Sequence, residues 1–159
     1  MRILASILII IFSSTLFAFG TDEDSNADPK VKLAQEFISK KEFDKAVPIL
    51  TEVVTADPKN ADAYNYLGFS YRNLGKMDEA LKNYQMALSI DPNHKGANEY
   101  LGELYLQKGD LPKAEERLQA LDKACPSDCI EHKTLKEQID NFKKNSNKVS
   151  KNESDSRGY

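Results

Sequence analysis

The fold is decided between residues 61 and 94, which read ADAYNYLGFSYRNLGKMDEALKNYQMALSIDPNH. Apolar residues recur there every three or four positions, which is the spacing of a helix with one apolar face. Gly75 and its neighbours interrupt this spacing, so two helices joined by a short turn are predicted. Pro92 then ends the second helix, because proline lacks a backbone N–H and restricts the residue before it.

The same pattern recurs on both sides of this stretch with a period of 34 residues. Two sets of residues share that period: Pro58, Pro92 and Pro126, and Ala46, Ala80 and Ala114. The chain therefore divides into three units, which are residues 27–60, 61–94 and 95–128. A fixed period of this length is typical of helical repeat proteins, in which each unit buries its apolar face against its neighbours.

Several residues of the middle unit fall at the spacings of a known repeat signature. They are Tyr64, Leu67, Gly68, Tyr71, Ala80, Tyr84, Ala87 and Pro92. The chain thus resembles the tetratricopeptide-repeat family from residue 27 to about residue 143. The resemblance implies an all-α fold, a right-handed α-solenoid of three helix pairs plus a C-terminal capping helix. It also implies a role in binding protein segments.

Small residues recur at one place in the first helix of each unit and at one place in the second. They are Ala34, Gly68 and Gly102 in the first helices, and Ala46, Ala80 and Ala114 in the second helices. We expect the two helices of each pair to approach closely there, since a large side chain would hold them apart.

The first 20 residues have the features of an export signal. Arg2 supplies a positive charge, residues 3–12 form an apolar run, and the segment ends at Ala18-Phe19-Gly20. Small residues at this spacing predict cleavage after Gly20 and a periplasmic or secreted protein. The alternative is an uncleaved inner-membrane anchor, although the apolar run is short for a membrane span. Residues 21–26 are predicted to be a flexible acidic lead, after which Asp28 and Pro29 begin the first helix.

The repeat frame continues beyond the third unit. His132, Leu135, Ile139 and Phe142 are spaced three or four residues apart, which predicts one more amphipathic helix. We interpret residues 129–143 as a capping helix for the last repeat. Residues 144–159 are polar with no apolar period, and we predict that they are disordered.

Composition and motifs argue against several classes of function. The formal net charge of −3 and the isoelectric point near 5.5 disfavour a nucleic-acid binder, which needs a basic face. The sequence contains no nucleotide-binding glycine loop, no HExxH and no GxSxG. We therefore predict a protein that is not an enzyme, with no catalytic residues, no cofactor and no metal.

The two cysteines, Cys125 and Cys129, lie on either side of the turn into the capping helix. In an exported protein an even number of cysteines predicts a disulfide bond. Two alternatives stay open. The pair could act as a redox switch, since Cys129 would open a helix whose dipole lowers the pKa of a thiol. It could also bind a metal together with His132.

The remaining candidate site follows from the family resemblance. First helices of tetratricopeptide repeats line a concave groove, and residues off their apolar stripe face the ligand. The groove residues are then Gln35, Ile38, Asp62, Asn65, Phe69, Arg72, Asn73, Glu99 and Glu103, with Val31, Leu106 and Gln107 beside them. Large apolar residues such as Phe69 and Ile38 on such a face indicate contact with a partner. We therefore predict a scaffold or adaptor that binds a protein or peptide in the periplasm.

One subfamily binds chaperone C-termini through a set of Lys, Asn and Arg residues in this groove. The corresponding positions here are occupied by Val31, Gln35, Tyr66, Gly96 and Tyr100. That activity is therefore not expected of this chain. The combination of export signal, three repeats and a cysteine-bearing cap instead resembles small exported bacterial members of the family.

Overall fold

The computed structural model describes residues 28–125 and 129–156, with side chains up to residue 146. Seven α-helices and no strands occur in these residues. They are α1 (Pro29–Ser39), α2 (Phe43–Ala56), α3 (Ala61–Asn73), α4 (Met77–Ile90), α5 (Lys95–Gln107), α6 (Leu111–Ala124) and α7 (Ile130–Ser156). The predicted all-α repeat solenoid is confirmed. The predicted signal peptide and acidic lead lie outside the described residues.

Local sequence accounts for where the helices begin and turn. The Asp28 carboxylate accepts a hydrogen bond from the backbone N–H of Lys30, and Pro29 occupies the first turn of α1, as predicted. The turns inside the three repeats each contain a left-handed residue. These residues are Lys41, Gly75 and Gly109, with φ of 61°, 76° and 78°. Glycine adopts this conformation at no steric cost, whereas Lys41 adopts it with a side chain.

The repeats pack as predicted through small residues. Helices in sequence contact one another, and the first helices α1, α3, α5 and α7 also contact in that order. Ala46, Ala80 and Ala114 are completely buried. A Cβ atom added to Gly68 would lie 2.6 Å from the ring of Tyr84, so α3 and α4 approach too closely there for any side chain.

The apolar stripe of α7 covers the end of the last repeat. Leu135 and Ile139 are buried, and Phe142 packs against the same cluster. The helix that approaches Gly102 is not the expected one. The atoms nearest to a Cβ added at Gly102 belong to Leu135 of α7 and not to α6. A physical reason is that Leu118 replaces the tyrosine of the middle repeat, so α6 carries no ring to lie over this glycine.

The end of α7 also differs from the prediction. The helix continues to Ser156, whereas the capping helix was expected to end at residue 143 and a disordered tail to follow. Residues 144–156 contain neither glycine nor proline, so no residue there forces the helix to stop. Within the described ranges, no helix is both long enough and apolar enough to cross a bilayer.

Candidate functional site

The side of the molecule formed by α1, α3 and α5, with α7 alongside α5, carries most of the predicted groove residues. We call it the first-helix face. An aromatic strip lies along it, which we define as Phe69 of α3, Tyr100 of α5 and the neighbouring Phe43 at the start of α2. The ring centroids of Phe69 and Tyr100 are 5.0 Å apart, and those of Phe43 and Phe69 are 6.0 Å apart. All three rings are half-buried, so each keeps part of its surface open to a partner.

Arg72 lies over this strip. Its guanidinium carbon is 5.7 Å from the ring centroid of Phe69 and 5.5 Å from that of Tyr100, within the range of cation–π attraction. The guanidinium also forms an ion pair with Glu103, and both side chains are only 12% exposed. The second carboxylate oxygen of Glu103 accepts a hydrogen bond from Gln138 of α7. The charge of Arg72 is therefore balanced inside the protein by Glu103, and its guanidinium lies over both rings.

Glu99 is next to this ion pair and has an unusual environment. Burial raises its pKa to about 7, and the nearby carboxylates of Glu103 and Glu131 add to the effect, while Arg72 opposes it. A carboxyl group with this pKa is only partly ionised at neutral pH.

Two tyrosines, Tyr84 and Tyr100, have Arg72, Glu99 and Glu103 as charged neighbours. Tyr84 is completely buried, and its hydroxyl has no hydrogen-bond partner among the described residues. Burial raises the pKa of Tyr84, Arg72 opposes this effect, and Glu103 and Glu99 add to it slightly. Burial, with the same two carboxylates, raises the pKa of Tyr100 to about 12. Both hydroxyls therefore stay protonated and can donate a hydrogen bond.

The other predicted groove residues divide between surface and core. Asn73 is exposed and donates a hydrogen bond to the carbonyl of Phe69 at 2.8 Å. Exposed Gln35 donates one to the Tyr66 hydroxyl. The carboxylate of Asp62 pairs with Nε2 of His94 at 2.9 Å, and this hydrogen bond lowers the pKa of Asp62.

Four residues of the predicted groove lie in or against the interior instead. Asn65 is only 4% exposed and its side-chain oxygen has no partner among the described residues, so the expectation that it faces a ligand is wrong. Its amide nitrogen lies 3.1 Å from where a Cβ of Gly96 would be, which places it between α3 and α5. Ile38 is half-buried and packs against the first core cluster. Val31 and Leu106 are buried outright.

The structure therefore brings together Phe69, Arg72, Glu99 and Glu103 on one face. It also adds Tyr84, Tyr100 and two residues of α7, Glu131 and Gln138, which sequence reasoning missed. Glu131 and Gln138 could have been found from the sequence, because the repeat frame continues into α7. Treating α7 as a fourth first helix, and not only as a cap, would have placed its polar side chains beside α5.

An open cleft of about 330 Å³ lies between α5 and α7. Its lining consists of Glu103, Leu106, Gln107, Gln138, Asn141, Phe142 and Asn145. Because Gln138 and Phe142 come from α7, this helix forms one wall of the first-helix face and bounds the face on that side.

Cys125 and Cys129 form a disulfide bond, as predicted, with their Cα atoms 6.2 Å apart. The ligand atoms of Cys125, Cys129 and Glu131 all lie within 4.8 Å of one another, but sulfurs joined to each other are not thiolate ligands. His132 is outside that group and pairs through Nε2 with Asp122 at 2.8 Å. Cys125 is 4% exposed, which disfavours attack on it by an external thiol.

Family models of the tetratricopeptide repeat match residues 27–60 and 61–94, the first two units of the frame. The chain is a tetratricopeptide-repeat protein. A comparison with curated protein sequences finds no significant match.

Solved structures similar to this tetratricopeptide-repeat protein include MamA from MSR-1. That likeness has 27% identity and a TM-score of 0.54, and it covers 60% of this chain and 57% of MamA, so the chain spans little more than half of that protein. PcrH, solved with the chaperone-binding region of PopD, has 22% identity and a TM-score of 0.65, with 74% of this chain and 90% of PcrH covered. The second repeat domain of human RPAP3, solved with an HSP70 peptide, has 19% identity and a TM-score of 0.62, with 70% and 92% covered. The last two likenesses concern the fold alone.

Proposed function

We propose that this protein is a non-enzymatic interaction module that binds an extended or helical segment of a partner protein across its first-helix face. The observation that carries the proposal is the aromatic strip. Phe69 and Tyr100 are half-buried side by side, and Arg72 is held over both rings by its ion pair with Glu103. Rigid aromatic groups with part of their surface open are typical anchors for a partner.

Two of the similar solved structures support this reading. PcrH was solved with a segment of PopD, and the RPAP3 domain with an HSP70 peptide. Tetratricopeptide domains thus hold segments of other proteins in at least these two cases. The present chain lacks the Lys, Asn and Arg set that captures a chaperone C-terminus, so its partner segment has a different chemistry.

We further propose that the protein acts after export, in the periplasm or outside the cell, with the signal peptide cleaved after Gly20. Arg2, the apolar run of residues 3–12 and the small residues before Thr21 support cleavage. The Cys125–Cys129 bond supports an oxidising compartment, where disulfides persist. N-terminal sequencing of protein from the producing cell tests this. A first residue of Thr21 is expected, and Met1 on membrane-bound protein would favour an anchor.

The binding function is tested by capture and then by direct measurement. The chain is used to capture partners from the envelope fraction of the producing cell, and overlapping synthetic segments of each captured protein are then titrated against it. Phe69→Ala is expected to weaken segment binding by about tenfold or more, as is usual for a central aromatic anchor. Met86→Ala is the matched control, because Met86 is a 43% exposed apolar residue on α4, away from the first-helix face. Equal losses in both variants would contradict the proposed site.

A further inference from the structure

We infer, on the basis of the proposed function, that the partner segment continues into the cleft between α5 and α7 in an extended conformation, and that amide side chains hold its main chain there. Three features of the cleft carry this inference. They are the amide groups of its lining, the absence of free charge in that lining, and its position beside the aromatic strip.

The lining of the cleft is rich in primary amides. Four of its seven residues carry one, namely Gln107 of α5 and Gln138, Asn141 and Asn145 of α7. Gln107, Asn141 and Asn145 are exposed, so their amide groups are open to a ligand. A primary amide offers a carbonyl acceptor and N–H donors, and a peptide group likewise offers one acceptor and one donor. The lining is therefore complementary to the main chain of a polypeptide, whatever its side chains are.

The amides of α7 form a row along one side of that helix. Gln138, Asn141 and Asn145 are three and four residues apart, which places them on the same side. Seven residues of α-helix rise by about 10 Å. An extended chain rises by about 3.3 Å per residue, so this row spans roughly three residues of an extended segment.

The charge of the lining favours a neutral ligand group. Glu103 is the one charged residue among the seven. One of its carboxylate oxygens pairs with Arg72, and the other accepts a hydrogen bond from Gln138. Since both oxygens have partners inside the protein, the lining offers no free charge to a carboxylate or an ammonium group. Neutral peptide groups meet this requirement.

The cleft also has an apolar part. Leu106 belongs to the last core cluster, and the half-buried ring of Phe142 packs against that cluster. Successive side chains of an extended chain point to opposite sides, so every second side chain of the bound segment faces the cleft. An apolar side chain at such a position would cover the accessible parts of Leu106 and Phe142.

The cleft adjoins the aromatic strip. Glu103 lines the cleft and also holds Arg72, whose guanidinium lies over the rings of Phe69 and Tyr100. One segment can therefore contact the rings and continue between α5 and α7. The rings then provide the anchor, and the amides add affinity that depends little on the sequence of the segment.

The experiment titrates two peptide pools into the isotope-labelled full chain and follows the binding by NMR. Both pools are heptapeptides with leucine at the central position and varied residues elsewhere. In the second pool the two peptide nitrogens nearest to the leucine are methylated, which removes two N–H donors and keeps the side chains. We expect the side-chain NH2 signals of Gln107, Asn141 and Asn145 to shift with the first pool. We also expect the first pool to bind roughly tenfold more tightly than the second, because two hydrogen bonds are lost.

Variants assign this preference to the cleft. Gln107→Ala/Asn141→Ala removes two exposed amides, so the preference for the unmethylated pool should largely disappear. Gln85→Ala is the matched control, because Gln85 is an exposed amide residue of α4, the second helix of its repeat. The preference should persist in that variant.

The outcomes separate the main-chain binding from the function on which it rests. Shifts of backbone signals around Phe69 and Tyr100 without shifts of the three side-chain amides, or equal binding of the two pools, would overturn the inference and leave the binding function standing. No shift with either pool would count against both. Shifts of the same amides with chitohexaose, and none with the peptides, would assign the cleft to a saccharide and overturn the inference.

Discussion

Gly68 lies where the ring of Tyr84 crosses helix α3, and the absence of a side chain there sets the distance between α3 and α4. A Cβ atom at this position would lie 2.6 Å from two ring carbons. We predict that Gly68→Leu lowers the free energy of unfolding by about 3 kcal/mol or more, because overpacking by several carbons forces the helices apart. Chemical denaturation followed by circular dichroism measures this loss.

A second substitution tests the cause of that loss. Tyr84→Ala removes the ring with which a leucine at position 68 would collide. The double variant should therefore be more stable than the sum of the two single losses indicates. Ser89→Leu, at an exposed position of α4, controls for adding a leucine to a helix and should be nearly neutral. Purely additive losses would show that the collision is not the cause.

Glu99 gives a prediction about pH. Its pKa in the folded protein is raised to about 7, whereas an unperturbed value is 4.5. The folded state therefore binds the proton more tightly than the unfolded state does. The resulting stabilisation is fully present below pH 4.5 and is lost as pH rises through about 7. Glu99→Gln removes this titration, so the variant should gain stability relative to the unchanged chain between pH 5 and pH 8, as measured by thermal melting. A constant difference over that range would contradict the environment described for Glu99.

The positions of single groove residues could be predicted from the sequence only in part. Phe69, Arg72, Glu99 and Glu103 were predicted on one face, and they lie together. Asn65 was predicted there too and is buried. Adjacent positions on a helix differ by about 100° in direction, so a small rotation of α3 decides which side chains reach the surface. The sequence carries the period of the pattern but not the rotation that neighbouring helices impose.

At the scale of elements, α7 is terminal and packs only against α5 and α6. It is tied to the body by Leu135 and Ile139 in the core, by polar contacts and by the disulfide at its start. The polar contacts include the hydrogen bond from Gln138 to Glu103 and the pairs His132–Asp122 and Lys143–Glu115. A disulfide that closes so short a loop contributes about 2 kcal/mol in the chain-entropy model. Reduction with dithiothreitol should therefore speed amide hydrogen exchange mainly in residues 130–143, because terminal elements open first.

The variant Cys125→Ser/Cys129→Ser should reproduce the effect of reduction without added thiol. Exchange in α3 and α4 should change little in either case and serves as the internal control. If the increase were spread evenly over all helices, α7 would not be a separately opening unit, and the disulfide would stabilise the whole chain instead.

Helix boundaries can be predicted from the sequence where a glycine or a capping residue stops or starts a helix. Gly75 and Gly109 have positive φ at turns that were predicted from composition, and Asp28 caps α1 as expected. The end of α7 differs from the prediction, because its last residues contain neither glycine nor proline and a polar composition alone does not end a helix. Polarity predicts that a segment does not enter a core, which differs from predicting that it does not form a helix.

At the scale of the whole molecule, three core clusters succeed one another along the stack of helices. The first contains Ala34 and Leu50, the middle one Tyr84 and Leu101, and the last Leu121 and Leu135. Each cluster is built from neighbouring helices, which is why a 34-residue period in the sequence was enough to predict the architecture. The partner was not predictable in the same way. Its chemistry depends on side chains from α3, α5 and α7 that come together only after the helices have stacked.

We propose that a partner segment lies across the first-helix face, against the aromatic strip. Amide chemical-shift mapping by NMR, with a segment of a captured partner titrated into the chain, tests it most directly. We expect the largest shifts in α3 and α5, around Phe69, Arg72 and Tyr100. Shifts concentrated instead in α2, α4 and α6 would contradict it.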